Sequence, residues 1–176
     1  MKALKKTLLL CLWVIIFMTF FNSCESNEKK EKRHVNESFQ SLEECINDKN
    51  VIGFKALFNS SGVSSLSETT IEEFFAVFSE GITLHETQYD DYITVTYWIN
   101  GNYSDKNICW AREIVNNSTG EIFGVSVLEY TSESPGEDVG IIRFIVYPVE
   151  KEGSFDNWWN NLEDEDKPNG LILYDN

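Results

Sequence analysis

Histidine is nearly absent from this chain, with two in 176 residues, and only His85 falls inside the part that reads as folded. Cysteine is sparse as well. None of the four stands in a CxxC or beside a histidine cluster, so a zinc site of the usual Cys/His spacing is excluded. The sequence holds no glycine-rich phosphate loop, no HExxH and no Ser-His-Asp pattern, and the chemistries those motifs carry have no local signature here. No cofactor and no metal is expected. Basic residues are few, 14 Lys and Arg against 29 Asp and Glu, for a formal charge of −15. Nucleic-acid binding needs a basic footprint, so nucleic acid is not expected as a partner. Long apolar runs are missing too. The longest covers residues 8–21, broken by Thr19; about 14 helical residues span about 21 Å, short of the roughly 30 Å hydrocarbon core of a bilayer.

What is present begins with an address. Lys2, Lys5 and Lys6 precede the apolar run, and the chain turns polar at Asn22-Ser23-Cys24. A basic stretch, an apolar stretch and a small residue before a cut site form a secretory signal. Phe21-Asn22-Ser23-Cys24 resembles the lipobox of bacterial lipoproteins, although Phe21 stands where Leu is common and Asn22 is large for its place. The resemblance implies a signal peptide over 1–23, acyl chains on Cys24 and a bacterial cell envelope, with the domain held to a membrane on its periplasmic or exposed side. Two or more acyl chains anchor stably where one does not. Residues 24–36 are then the lipidated cysteine and a flexible, charged tether. Without residues 1–23 the chain keeps 11 basic and 29 acidic residues, a charge of −18.

Residues 37–176 suit one domain. At 42% hydrophobic and 14% aromatic the chain has enough apolar residues for a real core. Phe39, Leu42 and Ile46 recur at helical spacing. A short apolar helix is expected over 51–58, ended by Asn59-Ser60-Ser61-Gly62. A third helix carries Ile71, Phe74, Phe75 and Phe78, with Thr69 and Glu72 at capping-box spacing and Gly81 as its C-terminal glycine. After Gly81 the apolar period changes to two. Strands are expected over 82–86, 92–98, 108–115, 122–130 and 139–149, with a turn at Asn100-Gly101 and a loop at Ser134-Pro135-Gly136. Trp158, Trp159 and Leu162 suggest a short helix, and residues 170–174 an edge strand. Helices first and strands after give an α+β fold, with N-terminal helices packed on a curved antiparallel sheet of about five strands.

The segment 42–58, LEECINDKNVIGFKALF, resembles the opening of nuclear transport factor two-like (cystatin-like) domains. The layout as a whole is similar to a family of small bacterial lipoproteins of unknown function, with Phe74-Phe75 in the third helix and a late strand from Val139-Gly140-Ile141. That resemblance implies a cleft between helices and sheet, and no catalytic set comes with it. Arg112 and Arg143 are the candidate contacts there, each interrupting an apolar strand, Arg112 on a face with Trp110 and Arg143 on a face with Ile141 and Tyr147. A guanidinium beside aromatic rings clamps carboxylates or stacks on rings. The competing reading puts both on outward faces, paired with acids such as Glu113 or Glu129. Cys45 and Cys109 either form a disulfide from helix to sheet or stay as buried thiols. His85 reads as a solvated edge residue, the acid run 163–166 as a solvated patch without calcium-loop spacing, and Trp158-Trp159 as core closure. The expected function is a non-enzymatic module binding a protein or a small ligand; the alternative is a small enzyme with its site in the helix-sheet cleft, where an acid such as Asp90 would serve.

Overall fold

Val35, Phe39, Leu42 and Ile46 fall on one stripe of a helix and are all buried, as their spacing requires. That helix, α1 (Asn27–Asn47), begins well before the domain start expected at residue 37. The computed structural model describes residues 27–85, 92–99, 102–131, 138–163 and 166–174, without the side chains of 27–28, 92–99 and 102–106. It divides into two compact units, Met1–His34 and Val35–Asn176. The signal segment, Cys24, the turn at Asn100-Gly101, the loop at Ser134-Pro135-Gly136, and Glu86, Asp90, Asp91, Asp164 and Glu165 lie outside the described residues. The flexible tether is corrected over 27–36, which is helical: the run from Glu28 to Arg33 is made of Glu, Lys and Arg, all good helix formers.

Three short helices follow: α2 (Val51–Ala56), α3 (Ser60–Ser64) and α4 (Glu68–Val77). Asn50 and Asn59 start the first two by accepting from Gly53 N–H and Gly62 N–H. Asn59-Ser60-Ser61-Gly62 thus opens a helical turn where a terminator was expected, because an Asn that ends one helix can cap the next. The N-cap of α4 is Ser67, bonded to Thr70 N–H at 3.0 Å, and Thr69 lies inside the helix. Gly81 has the expected positive φ of 84°. Asn47 Oδ1 would lie 2.3 Å from a Cβ there and accepts from Ile82 N–H at 2.7 Å. This contact joins the end of α1 to the start of the sheet.

The strands are β1 (Ile82–Leu84), β2 (Tyr92–Ile99), β3 (Asn102–Asn116), β4 (Ile122–Tyr130), β5 (Gly140–Pro148) and β6 (Gly170–Leu173). β1 and β2 pair antiparallel with the two ends of the long β3, so the six strands occupy five positions. β3, β4 and β5 form an antiparallel meander. The sheet is mixed, correcting the all-antiparallel expectation. A crossover through helix α5 (Glu152–Asn160) returns the chain so that β6 runs parallel to β5, the connection parallel strands require.

Alternation sorts the two faces. Ile108, Trp110, Ile114, Val125, Val127, Phe144 and Val146 meet the helices in the main core. On the opposite face Ile145 and Tyr147 pack with Phe155, Trp158, Trp159, Ile172 and Tyr174 in a smaller cluster under α5. A bulge between Leu128 and Glu129 breaks the register with β5. Ile141 thereby joins the main core rather than sharing a face with Arg143.

Candidate functional site

The interior between helices and sheet is occupied by rings. Phe54 sits 5.3 Å from Phe58, 5.6 Å from Phe74 and 5.9 Å from Phe144, centroid to centroid, and Phe78 packs on Phe123 at 5.0 Å. Trp110 is 1% exposed and donates its Nε1–H to Glu129 Oε1 at 2.9 Å. It is a core residue with a satisfied polar handle. Glu129 is buried here too, and its Oε2 accepts from Ser38 of α1 at 2.9 Å.

The two candidate arginines do not converge, because strand alternation places them on opposite faces of the sheet. Arg112 lies on the helix side, its guanidinium 5.1 Å from the Phe39 ring and bonded to Asn36 Oδ1. Arg143 lies on the α5 side, 4.8 Å over the Trp159 ring. It donates to the Pro168 carbonyl at 2.6 Å and to Asn169 Oδ1 at 3.3 Å. Those bonds fix the segment leading into β6, so Arg143 is a structural clasp. Of the two alternatives for the cysteines the structure has the unpaired one. Cys45 and Cys109 are free thiols, one on a helix over the inner face and the other on the outer face beside Ser126. Burial pushes both thiols up, which makes them poor nucleophiles.

Two open spaces lined by described residues stand out. The larger, about 760 Å³, lies at one end of the sheet. Val77 and Phe78 at the end of α4, Phe123 of β4, Val146 of β5 and Leu173 and Tyr174 at the end of β6 line it, with Glu121, Glu150 and Lys151 at its polar margin. Val77 and Leu173 are among the few large apolar side chains left exposed. The size and mainly apolar walls suit a small-molecule site.

The smaller space, about 340 Å³, lies on the outer face against the first turn of α5 and is bordered by Glu113, Gly124, Tyr147 and Glu152. Its central feature is Tyr147. Gly124 is its partner across β4 and β5, and a Cβ on Gly124 would come within 2.4 Å of the Tyr147 ring. Only bare backbone lets the ring lie flat there. Its other face stacks on Phe155 at 4.3 Å and 8°. Burial, helped by the carboxylates of Glu152, Asp156 and Glu113, pushes the Tyr147 hydroxyl up to about 12, so it keeps its proton at neutral pH. Next to it, His85 Nδ1 is 3.0 Å from Glu113 Oε2. This histidine was expected to be solvated; the β1–β3 ladder carries it opposite Glu113, its backbone N–H bonding the Glu113 carbonyl at 3.0 Å. The pair is 28 residues apart in sequence, and only the strand register could have foretold it. Trp158 and Trp159 are half-buried against Phe155 and Tyr174. Among the described residues no group of three or more His, Cys, Asp or Glu is placed to hold a metal ion. No family model, no curated protein and no solved structure matches this chain.

Proposed function

We propose that this chain is an exported bacterial lipoprotein, held to a membrane of the cell envelope by acyl chains on Cys24. Its domain, of nuclear transport factor two-like type, is a non-enzymatic module that takes a small apolar ligand in the pocket at the end of the sheet. The observation that carries the binding reading is that pocket of about 760 Å³, walled by Val77, Phe78, Phe123 and Leu173. Rings under α2 and α4 take up the space where the alternative enzyme would need its cleft, and Arg143, one of its two candidate arginines, is engaged with residues 167–169. The order of helices followed by a sheet supports the fold reading, and the basic, apolar and Asn-Ser-Cys sequence at the N-terminus supports the anchor.

Residues 35–176 should bind the neutral fluorophore N-phenyl-1-naphthylamine saturably and one to one. Val77 and Leu173 stand at the rim, so Val77→Trp with Leu173→Trp fills the pocket without touching the core. That double change should weaken binding by about tenfold or more, about 1.4 kcal/mol per factor of ten. Fluorescence titration reads it, and unchanged affinity would remove this pocket as the site.

The anchor has its own test. Cys24→Ala should abolish incorporation of radiolabelled fatty acid in the producing bacterium and leave the precursor uncut, seen as a heavier band. Labelling that survives the change would sink the lipoprotein reading and leave the pocket untouched.

A further inference from the structure

The outer-face groove is distinct from the apolar pocket, and its chemistry is different. Tyr147 is 9% exposed, clamped between the Gly124 backbone and Phe155, and its hydroxyl has no hydrogen-bond partner among the described residues while it borders the groove. The hydroxyl opens onto the groove, so a molecule seated there can supply its partner. The other polar groups at the rim are the carboxylates of Glu113 and Glu152. His85 holds Glu113 from the β1 side at 3.0 Å. Arg112 also borders the space, but its guanidinium lies across the sheet over Phe39, so only its backbone faces this side. Ala111 and Val149 complete an apolar floor.

We propose that this groove binds a small organic cation, a primary amine on a short apolar stem, with its ammonium held by Glu113, Glu152 and the Tyr147 hydroxyl. Three N–H donors meet three oxygen acceptors, and an anion is repelled by the two carboxylates. Both faces of the Tyr147 ring are already covered, so recognition runs through hydrogen bonds at its edge and not through cation–π contact with its face. A quaternary ammonium of the same charge therefore binds poorly. The formal charge of −15 draws cations toward the surface, and about 340 Å³ is at the lower end of small-molecule sites.

The test is calorimetric titration of the full chain in nonionic detergent and amine-free buffer with three probes: benzylamine, benzyl alcohol and benzyltrimethylammonium. Benzylamine should bind one to one, and the other two at least about tenfold more weakly, the loss expected when charge-assisted hydrogen bonds go. Glu152→Gln alters an exposed helix residue and should weaken benzylamine about tenfold with the cooperative unfolding transition unchanged. Tyr147→Phe, which keeps the stacked ring, should do the same. Equal affinity for the three probes, benzylamine binding unmoved by Glu152→Gln, or no saturable binding below about 10 mM would each overturn the proposal.

Discussion

Phe54→Ala should lower the stability of residues 35–176 by about 3–5 kcal/mol, the usual cost of deleting a buried ring. α2 has only six residues, too few to hold helical structure by itself, so it stays in place through what it packs against. Phe54 is its one fully buried side chain. Its ring touches those of Phe58, Phe74, Phe75 and Phe144, which come from α2's own exit, from α4 and from β5. Removing it leaves a void at the junction of two helices and the sheet, and those neighbours cannot all move inward without leaving their rotamers. Against a typical stability of about 5–15 kcal/mol, the loss should move the urea midpoint far down at nearly constant slope. Ile52, two residues away on the same helix, is 83% exposed, and Ile52→Ala should change stability by less than about 0.5 kcal/mol. Equal effects at the two positions would mean that α2 does not bury the face described here.

The sequence made β4 legible to the residue, at Ile122–Tyr130, because a run rich in β-branched and aromatic residues follows the turn-forming Asn116-Asn117-Ser118-Thr119-Gly120. The stripe Phe39 to Ile46 and the glycine at position 81 were legible for similar reasons: each is a local pattern with a single backbone solution. What escaped is non-local. The bulge at Leu128/Glu129 inserts a residue between paired strands, and no periodicity in β5 alone reveals that Ile141 and Arg143 part company. The direction of β6 depends on where α5 returns the chain. Asn59 has the same side chain whether it closes one helix or opens another. The N-cap of α4 was misplaced because Ser67 and Thr69 are both plausible caps, and the choice rests on backbone angles. For the site, Arg112, Arg143, Trp110 and Tyr147 were picked as polar or aromatic interruptions of apolar strands. The structure gives three of them packing or clasping roles and leaves Tyr147 at an open groove. Glu113 and His85 gain significance only from the β1–β3 pairing.

Glu129 was read as an acid on an outward face, and its position in the core makes the sharpest prediction about a single charge. It is 3% exposed. Burying a carboxylate in apolar surroundings costs several kcal/mol unless hydrogen bonds replace its water. The Trp110 indole N–H and the Ser38 hydroxyl supply two, both at 2.9 Å. Ser38 lies 91 residues away in α1, so the carboxylate fixes the register of that helix on the sheet. Glu129→Ala removes the acceptor and strands the Trp110 N–H in a place water does not reach. The expected loss is about 2–4 kcal/mol, from a buried donor left unsatisfied plus a cavity. Glu129→Gln keeps an oxygen for Trp110 and offers an amide to the Ser38 hydroxyl, which can turn to accept it. It should cost less than half as much. A double-mutant cycle with Trp110→Phe, which lacks the N–H, separates the two contributions. A coupling of about 1–2 kcal/mol between positions 110 and 129 in urea denaturation would mean that the hydrogen bond itself ties β3 to β4 inside the core. A coupling near zero would mean that Trp110 contributes by packing alone and not through its bond to Glu129.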